Sequence, residues 1–503
     1  MLGVLIILDG WGVGPDNSGN AISQAKTPNL DALRQKYSYT TLSASGEAVG
    51  LPKGQDGNSE AGHMNIGAGR VVEQEALIIN KKIESGVFFK NPAFNEAVNH
   101  AQYHKSKLHL MGLLTNHMSG HASPDHLIAL LKFCKEKKIK PYLHLFTDGR
   151  DAPPHAAVNF LKNLQDNFLD GEVIATIMGR FYAMERNKRW SITEQAYNAL
   201  VLGEGERAQS AEEAIVRSYN RDESDEFIKP HVIDDSGMID ENDSIIFFNF
   251  RSDRTRQISK AFVQKDFNKC NPGSFRRKKK LQHIKFISMT DFGPDLDHII
   301  SAFPAIDIKY TLPFALEGHR QLYIAESEKY AHVTYFFNGG YDEPVDGETW
   351  YKVQSPENSD YIVSPEMCAT KITNYVVDAI KQDAYDFFVI NFANADMLGH
   401  SGDINATIKA VEEVDKQIGI LCKEIEQRDG VMFITADHGN AEEMLNIKTN
   451  ETDTEHSIYP VPFIVTKKNC KLKAGGKLAN ISPTILKVLE IEQPKEMTAE
   501  PLC

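Results

Sequence analysis

The sequence predicts an α/β protein in which a second α/β domain is inserted into the first, and three observations predict it. Runs at 4–8, 387–392 and 431–435 are short, apolar on both faces and followed by polar clusters containing aspartate. Such runs suit parallel strands covered by helices on both sides. Helical patterns at 368–381 and 404–427 lie between them, and strands alternating with helices of that length indicate a mostly parallel sheet. The middle of the chain has its own strand candidates at 108–114, 141–147, 172–178 and 244–250. Acidic and histidine clusters mark the two ends, whereas the middle is richer in conspicuous arginines. The economical reading is a discontinuous domain of residues 1–73 and 305–503, interrupted by a domain of residues 74–304.

Length and charge bound what such a chain does. At 503 residues it exceeds one ordinary hydrophobic core, so two domains are expected, three at the outside. An apolar fraction of 42% is ample for folded cores. The 55 basic and 69 acidic side chains leave a net charge of −14. An acidic surface attracts neither nucleic acid nor anionic lipid, so neither is an expected partner. An anionic substrate then needs a local cluster of arginines or metal. The basic run RRKKK at 276–280 reads as a solvated surface turn, since no aromatic or groove-like pattern accompanies it.

Cysteines at 134, 270, 368, 422, 470 and 503 are scattered and form no CxxC pair. This is neither a disulfide framework nor a zinc ribbon, and a reducing, cytoplasmic setting fits. The opening MLGVLIILDG lacks a basic n-region and reads as a buried first strand. No stretch has the roughly 18 apolar residues of a membrane span.

Ligands in such sheets bind beyond the carboxyl ends of strands, and all three aspartate clusters fall at that kind of position. Asp9 follows the first run directly and alone would suit a helix cap equally well. Asp396 and His400 are four residues apart, a spacing that puts both on one face of a helix. Asp437 and His438 are adjacent after a strand and point different ways, as two neighbouring ions would require. His456 follows in ETDTEH. Oxygen and nitrogen donors without thiolate favour manganese or zinc over a soft metal. Two such ions would clamp the attacking and leaving oxygens of an in-line phosphoryl transfer.

Ser59, in GNSEAGH, precedes a possible helix. It suits an N-cap, and it also suits a nucleophile, because a helix N-terminus favours phosphate and a bound metal lowers a hydroxyl's pKa. His63 reads as structural or as support behind the ligands. In the middle, DGRD with Arg150 and Asp151, GRFYAMER with Arg180 and Arg186, FRSDR with Arg251 and Arg254, and NHMSGH with His117 and His121 look like anion-binding loops. Arginine grips carboxylate or phosphate in bidentate fashion. One such arginine is usually a salt-bridge partner; five at strand ends point to a small, strongly anionic substrate.

Over almost its entire length the chain resembles the cofactor-independent phosphoglycerate mutases, within the alkaline-phosphatase-like metalloenzymes. The resemblance rests on LDGWG, GNSEAGHMNIGAGR, TDGRDAPP, MGRFYAMERNKRW, FFNFRSDRTRQ, FANADMLGH and TADHGNAE in that order. It implies an alkaline-phosphatase-like core and interconversion of 3- and 2-phosphoglycerate in glycolysis and gluconeogenesis through a phosphoserine, independent of 2,3-bisphosphoglycerate. It further implies two divalent ions, usually Mn2+, and a monomer that opens and closes. One metal would fall on Asp396, His400 and His456, the other on Asp9, Ser59, Asp437 and His438. The substrate would fall on Ser59, His121, Arg150, Asp151, Arg180, Arg186, Arg251, Arg254 and Lys329. Of these, Ser59, His121, Asp151 and Lys329 are implied as catalytic. One departure stands out: where the family has Val-His-Ser-His, this chain has Gly120-His121-Ala122-Ser123, so the second histidine is replaced and His117 rivals His121. A phosphatase, a mutase of another sugar phosphate, and a non-catalytic metal-binding protein are the alternatives. The arginine loops count against the first two, and retention of Ser59 and every ligand counts against the third.

Overall fold

The computed structural model describes residues 2–503 apart from 170, 294, 297, 305–307, 357–360, 448 and 450. Its strands, in chain order, are β1 Gly3–Leu8, β2 Ser38–Ser43, β3 Leu108–Leu114, β4 Pro141–Thr147, β5 Val173–Gly179, β6 Glu206–Arg207, β7 His231–Val232, β8 Ser244–Phe247, β9 Lys285–Thr290, β10 Ile299–Phe303, β11 Gln321–Glu326, β12 Glu348–Val353, β13 Phe387–Phe392, β14 Val431–Thr435, β15 Val461–Val465 and β16 Gly476–Lys477. They form two eight-stranded sheets, one in each of two compact units.

The first unit is Met1–Gln74 with Asp307–Cys503, and the expected border at 305 lies outside the described residues. Its sheet runs β12-β11-β13-β1-β14-β15-β2-β16. The five strands from β12 to β14 are mutually parallel, and β15 is antiparallel to both its neighbours. Every residue of β1, β13 and β14 is buried, as near-continuous apolar runs in a doubly covered sheet must be. Leu8 pairs with Phe392, and Ile7 with both Asn391 and Thr435. The three strands therefore end level, and the loops that leave them meet at one edge of the sheet. Helices Ala369–Lys381 and Ile404–Glu426 pack on this sheet, the second capped by Asp403 through the N–H of Ala406 at 2.9 Å.

The second unit is Glu75–Ile306, with its own hydrophobic core. Its sheet runs β10-β9-β8-β3-β4-β5-β7-β6 and is parallel from β10 through β5. Leu114 pairs with Thr147, and Thr147 with Gly179. Asp148 and Arg180 thus leave adjacent strands at the same level.

The basic run is a surface turn, as expected, with Arg276, Lys278 and Lys280 exposed, whereas the reading of the cysteines needs correcting. Arg277 donates to the carbonyls of Ala261 (2.8 Å) and Gln264 (3.0 Å) and lies over Phe267, while Lys278 pairs with Glu204 and Lys279 with Asp240. Arg277 anchors the turn, and the other charges of the run stay at the surface. The scattered cysteines include one bonded pair, Cys470–Cys503. The N–H of Lys473 donates to the Leu502 carbonyl (2.9 Å) and brings the C-terminal tail beside Cys470. The other four are free. Among the described residues no helix is long and apolar enough to cross a membrane.

Candidate functional site

In the first unit, the level ends of β1, β13 and β14 bring three buried carboxylates together. Asp9 follows β1, Asp396 lies in the helix Asn394–Gly399 after β13, and Asp437 follows β14. The Asp9 N–H donates to the Phe392 carbonyl (3.1 Å), and the Asp396 N–H to the Asp9 carbonyl (3.0 Å). Lys329 enters from the turn between β11 and the widened helical turn His332–Phe336. Its ammonium donates to Asp396 Oδ2 (2.6 Å) and Ser59 Oγ (2.7 Å) and pairs with Asp9 Oδ1 (2.5 Å). Burial pulls the Lys329 pKa down, but Asp396, Asp9 and Asp437 outweigh it and hold the ammonium well above its ordinary value. Burial raises Asp9, and the nearby Asp437 raises it further. Burial also opposes ionisation of Asp396, yet the Lys329 ammonium holds its carboxyl well below the usual range.

The histidines converge with their lone pairs inward. His400 Nδ1 donates to the Thr454 carbonyl (2.7 Å) and His456 Nδ1 to the Gly57 carbonyl (2.8 Å). In the neutral imidazole each Nε2 is therefore the unprotonated nitrogen. Yet these two Nε2 atoms are 3.1 Å apart, and 3.4 and 3.2 Å from Asp396 Oδ1. Two lone pairs and a carboxylate oxygen aimed at one point repel unless a cation lies between them. Imidazoles anchored through Nδ1 to backbone carbonyls are also how metal-ligating histidines are usually oriented. Asp396, His400 and His456 thus form one group that fits a metal ion. Two further groups, Asp9–His63–Asp437 and Asp9–Asp396–His438, share Asp9.

His63 belongs geometrically to the second of these groups, although its lone pair is committed elsewhere. The Asn391 side-chain amide donates to Asp9 Oδ2 (2.7 Å) and to His63 Nε2 (3.0 Å). His63 Nδ1–H is left facing the Ser59 carbonyl (2.9 Å) and Asp437 Oδ2 (3.1 Å). His63 and Asn391 therefore orient Asp9 and Asp437. Asn391 went unrecognised in the sequence because it lies on β13 inside an apolar run.

Ser59 is the first residue of the helix Ser59–Ala68 and not its cap: Asn58 caps it, accepting from the Ala61 N–H at 2.8 Å. Freed from capping, Ser59 Oγ lies 2.9 Å from His438 Nε2 and 3.3 Å from Asp9 Oδ1. The Lys329 ammonium favours the alkoxide at this oxygen and His438 Nε2 faces the hydroxyl as an acceptor for its proton, whereas the Asp9 carboxylate opposes the negative charge.

The second unit collects guanidinium groups. Arg150, Arg180, Arg186 and Arg254 line one cavity of about 120 Å³. Burial lowers the Arg254 pKa to about 10, helped by Arg186, Arg180 and Arg150. Such crowding of like charge calls for an anion. Arg180 is fully buried and anchored on Asp148 (2.5 Å) and Asp151 (3.1 Å). Asp148 also accepts the N–H groups of Arg150 and Asp151 and the Thr115 hydroxyl, so it sets the whole loop. Glu185 does the same for Arg186, taking the N–H groups of Arg186 and Asn187 (both 3.0 Å) and pairing with Arg189. The sequence motifs contain Asp148 and Glu185, but their supporting roles depend on folded loops. Arg251 is not among the residues lining this cavity and pairs with Asp253 at 3.2 Å.

The two candidate histidines separate. His117 is exposed and pairs with Asp125 (3.2 Å). His121 is buried between Asp151 (3.9 Å) and Asp253 (3.8 Å), and its Nδ1 has no hydrogen-bond partner. Burial and the Arg180 charge pull its pKa down to about 3.

Comparison with known proteins agrees along the whole chain. Residues 1–493 match the model of the Metalloenzyme superfamily. The chain is 48% identical to the 2,3-bisphosphoglycerate-independent phosphoglycerate mutase of Clostridioides difficile (strain 630), over 99% of this chain and 98% of that protein. It is 46% identical to the enzyme of the same description from Clostridium perfringens, over 98% of each. A crystal structure of Leishmania mexicana phosphoglycerate mutase at low cobalt concentration superposes with a TM-score of 0.77 at 29% identity, covering 100% of this chain and 97% of that one. Matches of this extent, on an α/β core of the alkaline-phosphatase type with a second α/β unit inserted, show that the chain belongs to the 2,3-bisphosphoglycerate-independent phosphoglycerate mutases of the metalloenzyme superfamily.

Proposed function

We propose that the protein interconverts 3-phosphoglycerate and 2-phosphoglycerate through a phosphoserine at Ser59, without 2,3-bisphosphoglycerate. The observation that carries this reading is the Ser59 oxygen, held at a helix N-terminus 2.7 Å from Lys329 Nζ and 2.9 Å from His438 Nε2. Two divalent ions belong to the proposal, with Mn2+ preferred by the mixed oxygen and imidazole donors. Asp396, His400 and His456 would hold one, and Asp9, Ser59, Asp437 and His438 the other. When bound, the ions neutralise phosphate charge and lower the pKa of the serine hydroxyl.

The remaining chemistry falls to side chains. Ser59 Oγ attacks phosphorus, the bond from phosphorus to the glycerate oxygen breaks, and Lys329 stabilises charge at the serine and phosphate oxygens. Arg150, Arg180, Arg186 and Arg254, with Arg251 beside Asp253, retain the glycerate. An anion among them offsets the Arg180 charge and draws the His121 pKa back up, so that His121 supplies a proton to the departing alkoxide. Asp151 accepts the proton of the other glycerate hydroxyl, whose oxygen then takes the phosphoryl group from Ser59. The unit Met1–Gln74 with Asp307–Cys503 is assigned the transfer to serine, and Glu75–Ile306 the retention of glycerate. A plain phosphatase has no need of such retention. A cytoplasmic monomer is part of the same proposal, supported by the family's place in central metabolism.

The test uses 3-phosphoglycerate, Mn2+ and no 2,3-bisphosphoglycerate. The wild-type protein forms 2-phosphoglycerate, and a quenched reaction carries phosphate on the Ser59 peptide. Ser59→Ala retains the fold and loses both. Wild-type turnover in that variant rejects the assignment.

A further inference from the structure

We propose that Glu442 is a positioning residue that sets the spacing of the metal-ligand segments, because one buried carboxylate ties together the three loops that carry Asp9, Asp437 with His438, and His456. The inference rests on the metal reading above and names a residue outside the ligand set. Glu442 is 1% exposed. Its Oε2 accepts the N–H of Gly12 (2.9 Å), three residues after Asp9, and the N–H of Asn440 (2.9 Å), two residues after His438. Its Oε1 accepts the hydroxyl of Ser457, the neighbour of His456. The three donors come from segments separated by up to 445 residues of chain and belong to ligands of different metal groups.

The surroundings are shaped to this carboxylate. A Cβ on Gly12 would lie 2.2 Å from its carboxyl carbon, and one on Gly439 would lie 2.1 Å from Oε1 and 2.3 Å from Ser457 Oγ. Neither position admits a side chain while Glu442 keeps its place. Backbone bonds reinforce the same junction: Ala441 N–H donates to the Gly10 carbonyl (3.0 Å), Ser457 N–H to Gly439 (3.1 Å) and Val13 N–H to Pro460 (2.7 Å). A buried carboxylate that accepts three donors holds its partners with more directional force than apolar packing. Without it the ligand loops keep their backbone bonds but lose a common anchor, and a metal centre tolerates little drift in its ligands.

Glu442→Gln preserves size but turns an amide hydrogen toward one of the donors. Manganese is titrated calorimetrically into metal-free wild-type and variant protein, with melting of the metal-free forms measured alongside. The variant is expected to bind Mn2+ about 10–100-fold more weakly, with kcat at saturating Mn2+ and KM for 3-phosphoglycerate within a few-fold of wild type. A residue that served only as structural glue would lower the melting temperature of the metal-free protein and leave Mn2+ affinity unchanged, and that result overturns the inference. If Glu442→Gln does not fold, Ser457→Ala, which removes one arm only, decides it: a several-fold loss of Mn2+ affinity supports the role, and unchanged affinity overturns it. A wild-type protein that binds no Mn2+ defeats the metal reading and this inference together. Tight wild-type binding with equal variant binding defeats this inference alone.

Discussion

At the end of the first sheet three carboxylates gather near one ammonium; at the end of the second, five arginines line one cavity. Asp9, Asp396 and Asp437 are essentially buried; Lys329 contacts the first two, and Asp437 faces the imidazoles of His63 and His438. Arg150 and Arg186, by contrast, keep about half of their side-chain surface exposed. The two regions differ in how charge is met: the carboxylates of the first share one ammonium and several imidazoles, whereas the guanidinium groups of the second are paired with Glu226, Asp148, Asp151, Asp253 and Glu185. They also differ in stiffness. The carboxylates stand directly after buried strands and are held by backbone hydrogen bonds. Apart from the buried and anchored Arg180, the arginines reach out on long side chains whose ordering costs entropy. A rigid, desolvated cage suits an ion whose ligand distances vary little, and an adaptable cup suits an organic anion that must shift between two attachments of phosphate.

The largest effect that tests this contrast is metal removal. Chelation is expected to abolish turnover, and Mn2+ to restore it better than other divalent ions. Because the carboxylates of the cage share one ammonium, Mn2+ at about 100 times its Kd should stabilise the protein by roughly 2.7 kcal/mol, visible as a rise in Tm. Full turnover in protein shown elementally to be metal-free would break the comparison on its first side.

Next comes the cup. Arg254→Ala removes the guanidinium most crowded by its neighbours. Loss of about 2–5 kcal/mol of transition-state stabilisation is expected, roughly 30- to several-thousand-fold in rate. Bound Mn2+ should not change, and inorganic phosphate should appear from 3-phosphoglycerate as the phosphoserine leaks to water. Arg251→Ala should cost less, about tenfold, since Arg251 is tied to Asp253 and does not line the cavity. Equal losses in the two variants would remove the distinction between cup and rim; loss of metal in either would mean that the regions are not independent.

The last effect, which leaves both sites intact, is pH dependence. Burial, with Arg180 beside His121, holds the His121 pKa to about 3, and burial holds His126 to about 4; His109 and His144 in the same sheet are also lowered. A histidine depressed in the fold contributes stability that is complete above its unfolded pKa of about 6.5 and is lost as pH falls toward the folded value. Each such group costs up to about 1.4 kcal/mol per pH unit across that window. In the first unit, burial raises Glu326 to about 7, so its contribution runs the other way and is lost as pH rises from about 4.5 to 7. Hydrogen exchange at pH 5 and 7.5, corrected for intrinsic rates, should therefore show Glu75–Ile306 losing more protection on acidification. Equal losses would show that these buried groups do not set the balance.

The strands were legible because burial on both faces leaves a local record. The runs at 387–392, 431–435, 108–114 and 141–147 coincide with β13, β14, β3 and β4. The aspartates at strand ends were legible only as a set, since one acid after an apolar run suits a helix cap equally well but three at the ligand-binding edge, with histidines beside two of them, do not. The N-cap at residue 58 was missed because Asn58 and Ser59 are both good caps and one residue of register separates them.

By itself the sequence determined the α/β class, the order of the motifs and the kinds of donor each unit offers, because helix and strand periods and residue chemistry are properties of short segments. Only the tertiary structure decided which nitrogen of His400 and His456 faces inward, that His121 is buried while His117 is exposed, and that Arg277 and the Cys470–Cys503 pair tie chain segments together. It alone revealed Asn391 between Asp9 and His63, and Glu442 among Gly12, Asn440 and Ser457. Each of these is a contact between chemically ordinary residues far apart in the chain, and its energy comes from burial and directed hydrogen bonds that exist only once the two sheets have formed.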